Sequence, residues 1–540
     1  MSINTLNLLY AVSTLFMSVT PISAVFISIN CGATGTLTEN SIQWVGDDAY
    51  IKTGQPQEAY APPSEVLGTL RAFPAGKKKN CYTIDVDGGS KILVRPSFYY
   101  GDYDSLSSPP TFDLLLDGNH WATVNTSTTE AVYGLSYEAI YTVKSNATSV
   151  CIAQTLPNQL PFINSLEIRS LLSSMYSHVD SDRALLLATR VAATANDTPI
   201  RYPNDVYDRI WNPALGSLSL HFELNVTSND AGSVDVKVED SPPEAVFQNA
   251  VTTTTPTGGP LQAYIMLYSS SLSLTEAPVY VITYFSEVAR LGSNQKRSFQ
   301  MYVNSNPVSN PIVPPYGSVA EFYLANTTAS SNTNFTLKPT ADSTLFPLIN
   351  AFELYTISNP LAAGTNTKDV EGLSTLQSRF RALQQWTGDP CQPSAYAWDW
   401  VSCSTDASPR VTALSLSGFG LSGTLPDFSV MDALQTIDVH SNSLNGPIPD
   451  FLGILPDLQL LNLADNRFSG TVPSSISKNS KLKLTVTGNC LNGVACKAAA
   501  PTPPASSDGS PSSSVGNKIP LKLAVLVQVI FFLFTRLGDA

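Results

Sequence analysis

Toward the C-terminal end an apolar pattern returns at a short and almost constant interval, and so short a period restricts what the segment can fold into. "VTALSLSGFGLSGTLP" begins at Val411, "LQTIDVHSNSLNGPIP" at Leu434 and "LQLLNLADNRFSGTVP" at Leu458. A fading further copy keeps Leu484, Val486, Asn489, Leu491 and Gly493. A unit of this length cannot bury its own apolar edge, so successive units must stack. The asparagines at the shared position, Asn442, Asn466 and Asn489, are expected to face inward and hydrogen-bond the backbone of the turn; Phe419 stands there in the first copy.

The spacing L-x-x-L-x-L-x-x-N-x-L at this period is that of leucine-rich repeats, and predicts a short α/β solenoid over residues 411–496. Such a stack needs its ends covered. "WTGDPCQPSAYAWDWVSCS" (Trp386 to Ser404) precedes the first repeat, and Cys490 and Cys496 close the last. Pairing of Cys391 with Cys403 and of Cys490 with Cys496 is expected, with Trp386, Trp398 and Trp400 packed over the first repeat as a plug. Upstream, Val370, Leu373, Leu376, Phe380 and Leu383 fall at helical spacing. Residues 358–410 therefore read as a helix plus a cysteine-closed cap.

Residues 25–357 read as all-β. Runs such as "KILVRPSFYY", "TFDLLL", "EAIYTV" and "VYVITYF" are separated by Gly, Pro, Asn and Asp, as in sandwiches or barrels. The stretch is also duplicated. "PFINSLEI" at Pro161 returns as "PLINAFEL" at Pro347, and "FDLLLDG" at Phe112 returns as "FQMYVNS" at Phe299, at nearly the same offset. "ILVRPSFYY" and "VYVITYFSE" align at a similar distance. Two tandem β-sandwich modules follow, 25–195 and 196–357.

The ends suggest a route. "LNLLYAVSTLFMSVTPISA" reads as a signal peptide over residues 1–24, cut after Ala24, without a basic start. Sequons at Asn125, Asn146, Asn196, Asn225, Asn326 and Asn334 place glycans on the first two thirds. Residues 497–518 form a Pro/Ser-rich linker, and 519–540 carry a hydrophobic tail whose uninterrupted apolar character is too short for an ordinary spanning helix. Small residues Ser512, Ser513 and Ser514 ahead of it favour a GPI-anchor signal over a single-pass helix, despite the polar ending "RLGDA". The membrane would thus be reached through the C-terminal tail. In an oxidising compartment the seven cysteines leave at least one thiol unpaired; Cys31, Cys81 and Cys151 lie far apart, and Cys81 with Cys151 is the favoured pair.

Little in the chain calls for catalysis. The net charge of −13 argues against nucleic acid as a partner. The scattered histidines and the absence of Cys-x-x-Cys give no metal site, and no cofactor is called for. "GFGLSG" at Gly418 has a dinucleotide-like spacing, but its residues are repeat positions and Pro426 interrupts the helix required there. "DVDGG" at Asp85 lacks the glutamate that closes a calcium loop. No nucleophile signature is present, so no catalytic residue is named. "SFYYGDYD" and "NHWATV" do concentrate aromatics beside carboxylates, a combination that stacks on and hydrogen-bonds to sugars. Phe98, Tyr99, Tyr100, Tyr103 and Trp121 are the candidate ligand-binding residues, expected to reach a cleft between the modules. The repeats offer Asp438, His440 and Asn462 near their strand positions.

"ISINCG", "KKNCYTI", "LVRPSFYYGDYD", "PPTFDLLLDGNHWATV", "PFINSLEIRSL" and "IRYPNDVYDRIW" together resemble the plant malectin-like extracellular domain, and "WTGDPC" resembles the junction that joins it to leucine-rich repeats in plant receptors. The resemblance spans nearly all of residues 25–496. It implies two malectin-like sandwiches and a short solenoid displayed outside the cell, binding a carbohydrate or a peptide hormone. "YFSEV" at Tyr284 departs from the His-Phe-Ala-Glu of many relatives. No kinase pattern follows the repeats, so signalling is expected to run through a partner such as a receptor kinase ectodomain. The expected role is that of a non-enzymatic cell-surface receptor-like protein or co-receptor. The alternatives are a wall-associated interaction protein and, further off, a glycan-active enzyme.

Overall fold

The computed structural model describes residues 25–195, 198–214, 224–253, 265–267 and 272–494. Its central feature is a twelve-stranded sheet that runs through both modules. In the first module, strand Lys91–Phe98 lies between Ser165–Ser170 and Ala139–Thr142, and Phe26–Asn30 pairs antiparallel with Ser165–Ser170. In the second, Ala351–Ile357, Ala277–Phe285 and Ala320–Ala329 continue the same sheet.

Leu185–Ala192 joins the two halves. It pairs at two positions with Ala139–Thr142 and at seven with Ala351–Ile357. The expected divide near Ala195 assigns this strand to the first module; by its hydrogen bonds it belongs with the second, in the place Phe26–Asn30 takes in the first. The shared sheet makes the boundary a continuous ladder, and the described residues fall in a single compact unit.

Each module adds a second sheet. In the first its order is Lys79–Asp85, Ala147–Gln154, Thr111–Leu116, Asn119–Asn125; in the second it is Ile265–Leu267, Phe335–Pro339, Phe299–Val303, Asn306–Pro307. An apolar core fills each space between sheets. The duplication extends to single contacts. Phe98 and Phe112 meet edge-on with ring centres 5.5 Å apart, and Phe285 and Phe299 repeat this at 5.2 Å. Asn164 accepts from the Tyr99 amide at 2.7 Å and donates to the carbonyls of Leu67 and Thr69; Asn350 accepts from the Ser286 amide at 2.6 Å and donates to that of Asn249. Both asparagines are buried, so the repeated "IN" is a backbone clamp.

The repeat segment forms a ladder of parallel strands. Val411–Ser415, Thr436–Asp438, Leu460–Asn462 and Lys483–Thr485 form parallel pairs in sequence order, and Val401–Cys403 pairs antiparallel on the first. Asn442 accepts from the Leu421 amide and donates to the carbonyls of Leu416 and Val439; Asn466 and Asn489 do the same one and two repeats on. Helix Thr367–Arg379 is capped by Asn366 and lays Leu373 and Leu376 against the repeat core. Val370, expected on that face, is 42% exposed. The helix ends before Phe380, which with Leu383 is buried from a following turn. Buried Asp369 ties the helix to the first repeat by accepting from Arg410 and from the Val411 amide, both at 2.8 Å.

Replacing either clamp, Asn164→Ala or Asn350→Ala, leaves buried backbone groups without partners and should cost about 2–4 kcal/mol. Urea unfolding of the purified protein measures this, and the two variants should fall in the same range.

Candidate functional site

"WTGDPC" proves to be a joint as well as a plug. Lys79–Asp85 is an edge strand of its sheet. The Thr387 hydroxyl accepts from the outward Cys81 amide at 3.2 Å and donates to the Cys81 carbonyl at 3.1 Å, closing that edge. Gly388, at φ +72°, lies over the Cys81–Cys151 disulfide: a Cβ there would sit 2.3 Å from the Cys81 sulfur. Asp389 accepts from the amides of Cys391 and Gln392, and Lys79 donates to the carbonyls of Asp389 and Gln392. Tyr396 donates to Asp113 at 2.7 Å. Cys391 pairs with Cys403 as expected. Trp398 and Trp400 are buried in the repeat core, and Trp386 packs on Phe419 of the first repeat. Cys490 is disulfide-bonded, while Cys496 lies outside the described residues. Cys31 is the free cysteine among the described residues, and it is buried.

The candidate aromatics separate. Phe98 has no exposed surface; its ring is packed among Phe112, Tyr137 and Phe162, so it has no face to offer a ligand. Tyr100 is buried too, and its hydroxyl donates to Asp104, which closes the loop on itself. Trp121 is buried on the inner face of Asn119–Asn125. Tyr99 and Tyr103 are half-buried; Tyr99 donates to the carbonyls of Tyr60 and Ala61, and Tyr103 packs on Phe162. The loops beside them bring forward residues that sequence reasoning passed over, Tyr60 at 80% and Tyr133 at 79% exposure. Neither lies in a motif that stands out in the sequence.

None of the five candidates lines the clefts beside the inter-module segment. One, of about 510 Å³, is bordered by Lys91, Tyr141, Tyr176, His178, Asp180 and Arg183; the next, of about 630 Å³, shares His178, Asp180 and Arg183 and adds Pro278 and Asn326. The expectation that Phe98, Tyr99, Tyr100, Tyr103 and Trp121 reach such a cleft is corrected here. They cluster with the first module's own core and loops.

Between the modules lies a buried ionic lattice. Glu138 accepts from Arg95 at 2.8 Å and from Arg190 at 2.7 Å. Arg95 also holds Glu167, and Arg190 holds Glu353, the repeat-equivalent of Glu167. Asp208 takes Arg169 and Arg201; Asp205 takes Arg209 and the Trp211 indole. This gives a physical reason for the charged residues of "IRYPNDVYDRIW". Burial pushes the carboxyls of Glu138 and Glu353 up, but the arginines outweigh it, Arg190 first, and hold both below the ordinary range. Close by, the carboxyl of Glu321 neighbours that of Asp240 and accepts from the Glu239 amide at 2.9 Å. Burial, then the charge of Asp240, pushes Glu321 up to about 8.

On the repeats, Asp438 accepts from His440 at 2.6 Å, and Asn462 adjoins the same imidazole at 3.2 Å. Among the described residues no group of three His, Cys, Asp or Glu is placed to hold a metal. Asn125, Asn146 and Asn326 are exposed and Asn334 is half-buried; Asn196 and the side chain of Asn225 lie outside the described residues.

Residues 29–357 match the malectin-like domain, and residues 457–479 match the leucine-rich repeat. The chain belongs to the malectin-like family. An Arabidopsis thaliana protein named only as uncharacterized is 39% identical over 352 residues, 64% of this chain and 67% of its own length. A probable leucine-rich-repeat receptor-like serine/threonine-protein kinase of the same plant is 32% identical over 487 residues, 86% of this chain and 51% of the kinase. The chain thus spans about half the length of the kinase relatives it matches. The crystal structure of the plant receptor-like kinase FER superposes with a TM-score of 0.54 at 18% identity, covering 62% of this chain and 96% of FER. FER in complex with the peptide RALF23 and LLG2 gives 0.52 at 17% identity, covering 62% of this chain and 96% of that one. No helix among the described residues is long and apolar enough to cross a membrane.

Two outcomes follow from this geometry. Gly388→Ala should cost more than Gly418→Ala, although both sit at φ +72°, because nothing stands within 4 Å of a Cβ at Gly418. The backbone strain alone is about 1–2 kcal/mol, and the clash with the disulfide adds to it in chemical denaturation. For Glu321, the folded carboxyl lies above its ordinary 4.5. Its stabilising protonated form is fully present below that value and is lost as pH rises through about 8. The thermal midpoint should therefore fall between about pH 5 and pH 8, and Glu321→Gln should flatten the decline.

Proposed function

We propose that the chain is a non-enzymatic cell-surface recognition protein, a receptor-like protein or co-receptor, that binds a secreted peptide or a cell-wall carbohydrate through its malectin-like half and a partner receptor ectodomain through its repeats. The observation that carries this reading is that similarity to receptor-like kinases runs through both halves. The rigid joint supports it, because Thr387 and Lys79 hold the repeats, read as a short solenoid, at a fixed place on the first module. A peptide is supported by the malectin-like neighbour solved with one. A carbohydrate is supported by Tyr60 and Tyr133, whose exposed rings can stack on sugar faces. Tyr99 supports the Tyr60 segment by donating to the Tyr60 and Ala61 carbonyls, and Asp438, His440 and Asn462 form a polar patch for the partner.

Residues 519–540 lie outside the described residues. We propose that they direct a GPI anchor, on the strength of the short apolar run and the small residues before it.

The full chain made in plant cells should bind in one arm of a paired screen, against arrayed wall oligosaccharides and against secreted peptides with receptor-kinase ectodomains. If the ligand is a sugar, a Tyr60→Ala, Tyr133→Ala variant should lose at least about tenfold in affinity. Phosphatidylinositol-specific phospholipase C should release the protein from membranes. Silence in both arms, or hydrolysis of any arrayed sugar, would overturn the reading.

A further inference from the structure

Ala320–Ala329 is the last strand of the twelve-stranded sheet and pairs on one side with Ala277–Phe285. Among the described residues no strand pairs on its other side, and a ten-residue unpaired edge is a template for unwanted strand addition. The register there slips: Val279 faces Thr327 and Val281 faces Leu324, so Ala325 and Asn326 together oppose Tyr280. Such a bulge re-aims a side chain. Asn326 is exposed and lines the 630 Å³ cleft with His178, Asp180 and Arg183. Its sequon is completed by Thr328 on the same wall.

We propose that the cleft is the seat of an N-linked glycan carried on Asn326, which covers the free edge of the sheet and bridges it to the segment joining the modules. The proposal rests on the secretory part of the reading above. The bond forms between Nδ2 of Asn326 and C1 of a diphosphate-activated, lipid-linked sugar; the amide loses a proton and the lipid diphosphate departs. The cleft suits an amide-linked sugar. The His178 ring stacks on Tyr323 at 3.5 Å and 13°, offering an aromatic platform at the cleft wall. Glu239 holds the imidazole at 3.0 Å from the other side. Asp180 and Arg183, 3.8 Å apart, present an acceptor and donors to sugar hydroxyls. A cleft filled from its own wall is closed to soluble ligands, which directs recognition to the Tyr60 and Tyr133 loops.

The test uses the full chain expressed in plant cells. Glycopeptide mass spectrometry should find Asn326 occupied, with exposed Asn125 and Asn146 as controls for the compartment. Diethylpyrocarbonate should then modify His178 at least about threefold faster in Asn326→Gln, and in wild-type protein treated with peptide-N-glycosidase, than in untreated protein, because the glycan is bulky. The rate at His120, on the outer strand of the first module, should not change. Asn326 vacant while Asn125 or Asn146 is occupied overturns the proposal and leaves the secretory reading standing. So does an occupied Asn326 whose removal leaves the His178 rate unchanged in both arms. Absence of glycan from every sequon overturns this proposal and the secretory reading together.

Discussion

Glu138 is held by Arg95 from one side and by Arg190 from the other, and the two-module body depends on that bridge. Isolated charges of this kind are too costly to bury. Here guanidinium groups and carboxylates alternate, and Arg209 also donates to the carbonyls of Asp240 and Ser241. The lattice lies where Leu185–Ala192 welds the halves into one sheet. Sliding the strands by one residue would separate Arg95 from Glu167 and Arg190 from Glu353, so these charges help to specify register.

The parts legible in the sequence are those written as periods. The repeat asparagines, the helix before the cap, the cysteine pair around the tryptophans and the duplication of "FIN" and "LIN" each follow from local spacing, and each has its counterpart in a contact. The strand "LLLATRVA" falls on the wrong side of the expected divide because its partner, Ala351–Ile357, lies at the far end of the second module and its own composition carries no address. The ionic lattice is illegible for the same reason: its members are spread from Arg95 to Glu353, and each looks like an ordinary surface charge alone.

The aromatic candidates show a different limit. Composition brings Phe98, Tyr99, Tyr100, Tyr103 and Trp121 together, but burial is decided by strand parity and by what the loop folds over. Phe98 and Trp121 point inward, and Tyr100 spends its hydroxyl on the loop's own carboxylate. The exposed rings, Tyr60 and Tyr133, sit in stretches with little else to mark them. Exposed rings on such connecting segments leave almost no periodic trace.

The seating of Gly388 on the Cys81–Cys151 disulfide also sets an order of assembly. The first module leaves the ribosome long before the repeats, and domains near the N-terminus generally fold first. Until both sulfurs are joined and the edge strand is in place, Thr387 has no backbone to close upon and the cap has no floor. The floor on which the cap rests is therefore a covalent crosslink of the first module, so reducing Cys81–Cys151 would disturb the seat of Gly388 as well as the sheet beneath it.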